Sequence, residues 1–260
     1  MSERNGYAPG VPCWVDTWQP DADAAAGFYT ALFGWEADGA SAGPYLCKLR
    51  GRDAALIGQL PPEHAHRPSA WMTHVWVDSA DAAAERVLAA GGSVPVAPFD
   101  VADGGRIGIA ADPAGAHFGV RQVGELVGAE VVNEAGAWSW SQLLTSDPDG
   151  AKPFYANVFG WETDSFGDVT LFRVPGYVGG EPEQPVPRDV VAGMAAVPEG
   201  DGFPHWRIDF WVDDVDATAA QATELGGRAL VPPYDAGIAR QAVIADPAGA
   251  SFSVSKILAR

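Results

Sequence analysis

One alternation of apolar and polar positions occurs twice along the chain. Residues 28–36, FYTALFGWE, return as residues 154–162, FYANVFGWE, with six of nine residues identical at an offset of 126. Apolar side chains at the first, second, fifth and sixth positions have helical spacing, so each copy predicts a helix with one buried face. We expect the aromatic residues of this face to serve packing rather than ligand contact.

The residues around each copy predict where the two helices begin and end. Asp21 and Asp147 precede the copies and supply carboxylates for the N-cap. Gly34 and Gly160 lie where a left-handed residue often ends a helix. The first helix is therefore predicted over residues 19–33, and the tryptophan after each glycine is expected to begin a strand.

Period-two alternation predicts strands on both sides of these helices. The first unit consists of a strand, a helix and further strands, and a second unit of the same order begins at Trp71. The predicted strands are residues 11–18, 45–50, 54–60, 71–78, 93–96, 106–111 and 117–123, with a second helix over residues 80–90. Each unit is thus a βαβββ module.

The second half of the chain repeats the order of the first. Residues 137–145 match the first strand, residues 206–212 match the strand that opens the second module, and the turn sequence DPAG at 112–115 returns at 246–249. Four copies of one module follow from this repetition. Two arrangements of the modules are compatible with the repeats. The first module pairs in space either with the second or with the fourth.

These modules predict an α+β fold of two domains. The domains are residues 1–126 and residues 127–260, each built from two βαβββ modules, and a chain of 260 residues is long enough for both.

Composition and charge narrow the class of protein. A net charge of -18 argues against partners that carry phosphate backbones or anionic lipids, so neither nucleic acid nor membrane is expected. The two cysteines, Cys13 and Cys47, lack the spacing of a zinc site or a disulfide framework. Residues 1–12 lack the basic-then-apolar pattern of a signal sequence, and no apolar run approaches ~20 residues. We therefore expect a cytoplasmic protein, and a monomer or a homodimer.

The repeated Phe-Tyr-x-x-x-Phe-Gly-Trp and Asp-Pro-x-Gly motifs resemble those of the vicinal oxygen chelate superfamily. This superfamily includes glyoxalase I, bleomycin-resistance proteins, fosfomycin-resistance enzymes and extradiol dioxygenases. The resemblance covers nearly the whole chain and is strongest to tandem glyoxalase-like proteins often labelled hydroxylases. It implies that each pair of modules curls its strands around a cavity, where the enzymes of the family hold a divalent metal ion.

The resemblance also implies which strand positions would carry metal ligands. By strand parity these are Asp16, Gln59, His74 and Gly119 in the first half, and Gln142, Met194, Asp209 and Ser253 in the second. The last-strand glutamate of the family is replaced in both halves, by Gly119 and Ser253. A metal site needs three or four converging donors, so no metal is expected in the second half.

The first half leaves a metal site open as an alternative. His117 shares the strand parity of Gly119, so Asp16, His74 and His117 could form a site outside the family pattern. In the other interpretation the histidines hydrogen-bond Asp16 or a ligand and no metal is bound. His64 and His66 lie in a Pro-rich loop and are expected to be solvated.

The alternate strand positions that are predicted to face the cavities carry aromatic residues and a few polar ones. Such a composition is typical of a pocket for a planar or extended apolar ligand. The candidate ligand-binding residues are Trp14, Trp18, Trp76, Arg121, Trp140, Gln142, Arg207, Asp209 and Trp211, and the same parity includes Trp138. Core filling by the tryptophans is the alternative.

Three hypotheses about function follow. The first is a glyoxalase-like protein that binds a small hydrophobic or aromatic molecule without a cofactor, in antibiotic sequestration or natural-product metabolism. The second is a metal-dependent lyase, isomerase or dioxygenase that uses a divalent metal ion in the first domain. The third is a non-catalytic protein with filled cavities. No nucleophile, nucleotide or dinucleotide motif supports another chemistry.

Overall fold

The computed structural model describes residues 2–39, 43–64, 68–102, 105–167, 169–179, 186–197 and 202–258. The helices are α1 Ala22–Phe33, α2 Ala80–Ala89, α3 Pro148–Phe159 and α4 Val215–Glu224. The strands are β1 Ser2–Glu3, β2 Pro12–Gln19, β3 Glu36–Asp38, β4 Tyr45–Leu49, β5 Arg52–Gln59, β6 Ala70–Trp76, β7 Ser93–Asp100, β8 Arg106–Ala111, β9 His117–Gln122, β10 Val131–Val132, β11 Trp138–Thr145, β12 Glu162–Phe166, β13 Val169–Arg173, β14 Val190–Ala196, β15 His205–Trp211, β16 Arg228–Ala236, β17 Ala239–Ala245 and β18 Ser251–Ile257. His64 ends a short 3-10 turn, and His66 lies outside the described residues.

The predicted caps of the repeated helix are confirmed in both copies. Asp21 and Asp147 each accept a hydrogen bond from a first-turn amide, and Gly34 and Gly160 adopt left-handed φ values of 70° and 74°. The helix α1 begins three residues later than predicted, because the chain stays extended in β2 through Gln19.

The predicted α+β fold of βαβββ modules is confirmed. The first half forms an eight-stranded sheet of order β3-β4-β5-β2-β6-β9-β8-β7, and the second half forms the matching sheet β12-β13-β14-β11-β15-β18-β17-β16. At the middle of each sheet the first strands of two modules pair antiparallel, β2 with β6 and β11 with β15. Sheet formation therefore joins the first module to the second and the third to the fourth.

The hydrophobic cores join the modules in a different arrangement from the sheets. One core joins Phe28, Tyr29 and Phe33 of α1 to Phe210 and Phe252 in the fourth module. The other core joins the second module to the third, where Phe118 of β9 packs against Phe154 and Tyr155 of α3. Each core thus contains side chains from both halves, so the halves share their packing as well as a chain connection.

Hydrogen bonds across the seam between the halves use the repeated motifs. The indole nitrogen of Trp35 donates to the carbonyl of Gly136 at 2.7 Å, and that of Trp161 donates to the carbonyl of Gly10 at 2.6 Å. No helix in the described parts of the chain is long and apolar enough to cross a membrane.

Candidate functional site

Each sheet has one face against the helices and one face that points away from them, which we call the open face. On the N-terminal sheet the register places Trp14 opposite His74, and His74 opposite Gly119. On the C-terminal sheet it places Trp140 opposite Asp209, and Asp209 opposite Ser253. Paired residues point to the same side of a sheet, so equivalent positions of the two halves form the two open faces.

A buried histidine and carboxylate lie at the centre of the N-terminal open face. Nε2 of His74 is 2.8 Å from Oδ2 of Asp16, and the two residues are 1% and 6% exposed. The other polar atoms, His74 Nδ1 and Asp16 Oδ1, are buried and make no hydrogen bond with the described residues. The pair consequently retains one nitrogen and one oxygen for a further partner.

Gly119 has a steric role in this arrangement. A Cβ atom built on Gly119 would collide with the imidazole of His74, with Nδ1 the nearest atom. The space of the side chain at position 119 is therefore filled by the histidine ring. The glutamate that the family carries there would not fit without moving His74, so the donor set at this centre does not match the family metal site.

The structure brings together two of the three predicted metal ligands. Asp16 and His74 are in contact, but His117 is an exposed residue at the beginning of β9, where it pairs with Ala111. Among the residues whose placement is described, no group of three or more His, Cys, Asp or Glu side chains is arranged to hold a metal ion. The predicted triad is therefore not assembled.

Two other residues at family metal positions lie on the opposite face. Gln59 contacts the beginning of α1, where its Oε1 accepts from the amide of Ala22 at 3.0 Å. Met194 is buried in the core beneath α3. Their predicted orientation was wrong by one residue, because Gly58 and Gly193 take the open-face positions of these strands.

Thiolate ligation finds no support either. Cys13 and Cys47 are fully buried, and burial raises the pKa of each thiol to about 12. Both side chains are therefore protonated at neutral pH, and a protonated thiol is a poor metal ligand.

The tryptophans of the N-terminal open face differ in accessibility. Trp14 is 1% exposed and belongs to the hydrophobic core. Trp76 is half-buried beneath Tyr7, with ring centroids 6.3 Å apart. Trp18 is 39% exposed and lies over Gly58, where any Cβ would collide with the indole. An open indole face is thus present at Trp18.

The C-terminal open face uses the same arrangement of an indole over a glycine. The ring of the half-buried Trp140 lies over Gly193, where a Cβ would come within 2.9 Å of it. Gln142, Arg207 and Trp211 are half-buried on the same face.

The orientation predicted for Trp138 was wrong. A β-bulge between Trp138 and Trp140 interrupts the alternation of β11, so Trp138 turns into the core. Ser139 takes its place on the open face and donates a hydrogen bond to Oδ2 of Asp209 at 2.8 Å.

Asp209 is the buried carboxylate of the C-terminal open face. Besides Ser139, the hydroxyl of Ser255 donates to Oδ2 of Asp209 at 2.5 Å, and the amide of Gln241 donates to Oδ1 at 3.4 Å. Burial raises the pKa of Asp209 above its ordinary value, against hydrogen bonds that lower it. Asp209 therefore has a different environment from its counterpart His74, although both occupy the same strand position.

Both predicted arginines lie on the open faces. Arg121 of β9 is buried and pairs with Trp76 of the neighbouring strand β6. Arg207 is half-buried and pairs with Gln142. A ligand role for these residues and for the tryptophans stays a prediction.

A recess at the seam between the halves contains residues that parity reasoning missed. It adjoins Ser139 and Trp140 and is also lined by Arg4, Tyr7 and Tyr177. These three residues lie in irregular segments, where no period links a position in the sequence to a face of the fold. Only their residue types, one guanidinium and two phenols, could have suggested a binding role.

Comparisons with known proteins agree with this architecture. A family model described as "Glyoxalase-like domain" matches residues 14–121 and again residues 140–255. "Putative glyoxylase CFP32" of Mycobacterium tuberculosis is 39% identical over 98% of both chains. "Anthracycline biosynthesis protein DnrV" of Streptomyces peucetius is 34% identical over 96% of this chain and 94% of its own.

Solved structures share the fold at low identity. The Mn(II)-bound glyoxalase from Novosphingobium aromaticivorans has a TM-score of 0.64 at 18% identity, covering 98% of this chain and 83% of its own. The 2,3-dioxygenase LapB from Pseudomonas sp. KL28 has a TM-score of 0.63 at 12% identity, covering 96% and 93%. Both likenesses establish the two-domain vicinal oxygen chelate fold.

Proposed function

The chain belongs to the family of glyoxalase-like domains, and from this membership we propose that it binds a flat aromatic small molecule on its open faces, without the metal site of the family. The observation that carries the proposal is the repeated placement of an indole over a glycine. Trp18 lies over Gly58 in one half and Trp140 lies over Gly193 in the other. A glycine beneath an indole lets the ring lie flat along the strand, with its other face directed outward.

The geometry of an aromatic ligand matches such a surface. Offset stacking of two aromatic rings contributes about 0.5–1.5 kcal/mol beyond the burial of apolar area. Trp18, next to the last residue of the central strand β2, keeps 39% of its surface exposed. A stacked ligand would cover this surface.

Polar atoms at the base of the open faces would orient the ligand. Oδ1 of Asp16 is buried and lacks a hydrogen-bond partner among the described residues, and an unsatisfied buried acceptor costs about 1–3 kcal/mol. A ligand hydroxyl that donates to this atom would remove that cost. The proposed ligand is therefore an aromatic molecule that carries hydroxyl groups.

The names of relatives support the same class of ligand. DnrV of Streptomyces peucetius is named as an anthracycline biosynthesis protein. Anthracyclines are flat polycyclic molecules with phenolic hydroxyl groups, so their chemistry fits an indole platform next to a buried acceptor. For this chain we propose a role in the metabolism or sequestration of such natural products.

Titration of the purified protein with hydroxylated polycyclic aromatic compounds tests the proposal. Tryptophan fluorescence should be quenched saturably, and Trp18→Ala or Trp140→Ala should weaken binding about tenfold by loss of stacking and contact area. Leu88→Ala removes an exposed apolar side chain from α2, on the helix side, and should leave the affinity unchanged.

Two results would count against the proposal. The first is the absence of saturable quenching across a broad panel of aromatic compounds. The second is stoichiometric metal in protein purified without chelator, if the metal is lost in Asp16→Ala and His74→Ala.

A further inference from the structure

The recess at the seam, which we call the seam recess, has the chemistry of a binding site. Its cavity volume is about 70 Å³, and its lining combines Arg4 with the aromatic residues Tyr7, Trp140 and Tyr177. The residues come from the N-terminal segment, from β11 and from the segment that precedes β14. Aromatic walls around one cation are typical of sites for ligands that are flat and negatively charged.

The N-terminal segment is fixed in position next to the recess. The strand β1 pairs with β10, and the amide of Arg4 donates to the carbonyl of Glu130 at 2.9 Å. Farther along, the hydroxyl of Tyr7 donates to the carbonyl of Ala129 at 2.6 Å. Arg4 is thus held between two backbone attachments, and its side chain projects from a defined point.

The guanidinium of Arg4 lacks the partner that other arginines of this chain have. The chain carries 34 acidic and only 16 basic residues, so carboxylates are abundant. Five arginines form ion pairs with them: Arg50 with Glu134, Arg52 with Glu3, Arg106 with Asp81, Arg173 with Asp189 and Arg240 with Asp216. Arg4 forms no ion pair with any described residue, and its buried Nε makes no hydrogen bond with them.

Neighbouring carboxylates are already engaged elsewhere. Glu3 pairs with Arg52 at 2.7 Å, and Glu130 accepts a hydrogen bond from the amide of Asp53 at 3.0 Å. A half-buried guanidinium without an acceptor is unfavourable, because part of its hydration is lost and nothing replaces it. An anionic ligand oxygen would supply the missing acceptor.

We propose that the seam recess binds an aromatic carboxylate, with Arg4 pairing with the carboxylate. A volume of about 70 Å³ encloses the carboxylate and the adjoining edge of a ring. The rest of the molecule extends along Trp140 onto the C-terminal open face. This assignment rests on the proposed binding of aromatic molecules and specifies the acidic group that the ligand carries. Planar guanidinium and carboxylate groups form two parallel hydrogen bonds, which also fixes the orientation of the ring.

A matched pair of probes tests the assignment on the full-length protein. The probes are 2-naphthoate and its uncharged analogue 2-naphthamide, which have the same ring and nearly the same shape. Calorimetric titration of the wild-type protein should give tighter binding of 2-naphthoate. Arg4→Gln should weaken the binding of 2-naphthoate about tenfold or more, since a hydrogen-bonded charge is lost, and should change that of 2-naphthamide less than about twofold.

Three further variants make the result specific. Arg4→Lys keeps the charge without the planar fork and should retain part of the preference for 2-naphthoate. Trp140→Leu should weaken both probes alike. Arg228→Gln removes an exposed arginine on β16 and should weaken neither. Thermal unfolding of each variant verifies that the fold is intact.

The possible failures separate the two proposals. Equal affinity of the wild type for both probes, or an unchanged preference in Arg4→Gln, overturns the assignment of Arg4 and leaves aromatic binding intact. If neither probe binds while other aromatic compounds do, the seam recess is likewise not a carboxylate site. If no aromatic compound binds at all, the proposed function itself fails.

Discussion

The hydroxyl of Tyr29 donates a hydrogen bond of 2.9 Å to the carboxylate of Asp246, which lies 217 residues later in the chain. The equivalent residues of the other copy make the same contact: the hydroxyl of Tyr155 donates to the carboxylate of Asp112 at 3.1 Å. Each tyrosine belongs to one copy of the repeated helix motif, and each aspartate opens the Asp-Pro-Ala-Gly turn of the opposite half. The two sequence repeats therefore bind each other crosswise.

Burial makes these contacts important for stability. Trp71 donates to the hydroxyl of Tyr29 at 2.8 Å, and the remaining oxygen of Asp246 accepts from the amides of Ala248 and Ala250. Burial raises the pKa of Asp246 above its ordinary value, and the Tyr29 hydrogen bond lowers it. The carboxylate thus depends on its donors, because water cannot replace them at this position.

Removal of one phenolic hydroxyl tests this dependence. Tyr29→Phe should lower the free energy of unfolding by about 1–3 kcal/mol, since it leaves a buried carboxylate and the Trp71 indole short of a partner. Chemical denaturation with urea measures the change. Tyr45→Phe is the matched control, because its hydroxyl bonds Asp23 at an exposed position. A surface hydrogen bond of this kind is expected to contribute less than about 0.5 kcal/mol. Equal losses in the two variants would contradict the argument.

Shared cores predict that neither half folds alone. Fragments of residues 1–126 and 127–260 would each expose the apolar face that the other half covers, including Phe33 in one and Phe210 in the other. Each fragment should be largely unfolded or self-associated by circular dichroism and size-exclusion chromatography. Mixing or co-expressing the two fragments should restore the folded protein. A monomeric, cooperatively folded single fragment would show that the cores are separable.

The sequence predicted the modules but not how they join. Repetition identified equivalent positions, and caps such as Asp21 and Gly34 are local signals that depend on few neighbours. The core partners of Phe33 depend on long-range packing, for which the sequence carries no comparable signal. Both arrangements of modules considered from the repeats are present, one in the sheets and the other in the cores.

The errors in side-chain orientation at the candidate site have two local causes. The bulge in β11 reversed the orientation of Trp138, and a bulge leaves no mark in an alternation of apolar residues. On β5 and β14 the predicted ligand positions, Gln59 and Met194, lie one residue away from the open face, where Gly58 and Gly193 lie instead. Because a glycine has no side chain, it leaves no mark in a pattern of apolar and polar residues.

Substitution of Gly119 tests the steric account of the histidine. Gly119→Ala should lower the free energy of unfolding by about 1–3 kcal/mol, because its Cβ collides with the imidazole of His74. The added change from Gly119→Ala in a His74→Ala background should be much smaller. Gly27→Ala is the control, since a Cβ at this position of α1 meets no atom within 4 Å. It should stabilise the helix by about 0.5–1 kcal/mol. Equal losses at position 119 in both backgrounds, measured by urea denaturation, would exclude the clash.

The pH dependence of stability tests the environment of Asp209. Its folded pKa is raised above the ordinary 3.8, mainly by burial, so the folded protein binds this proton more tightly than the unfolded chain. The stabilisation of the folded state by this carboxyl group is therefore fully present below pH 3.8 and is lost as the pH rises through the folded pKa. The amide side chain of the Asp209→Asn variant does not titrate, so this variant serves as the reference. The unfolding free energy of the wild type minus that of this variant should fall as the pH rises from 3.8 towards neutrality.

A variant with the opposite sign provides the control for this measurement. The Arg240 guanidinium lowers the pKa of the exposed Asp216, so its contribution is present above pH 3.8 and is lost as the pH falls through the folded pKa. The difference for Asp216→Asn should therefore rise with pH, and added salt should reduce it because the pair is exposed. Guanidinium chloride would itself screen that pair, so urea denaturation across the pH range is the suitable method. Parallel slopes for the two variants would show that the hydrogen bonds from Ser139, Ser255 and Gln241 outweigh the burial of Asp209.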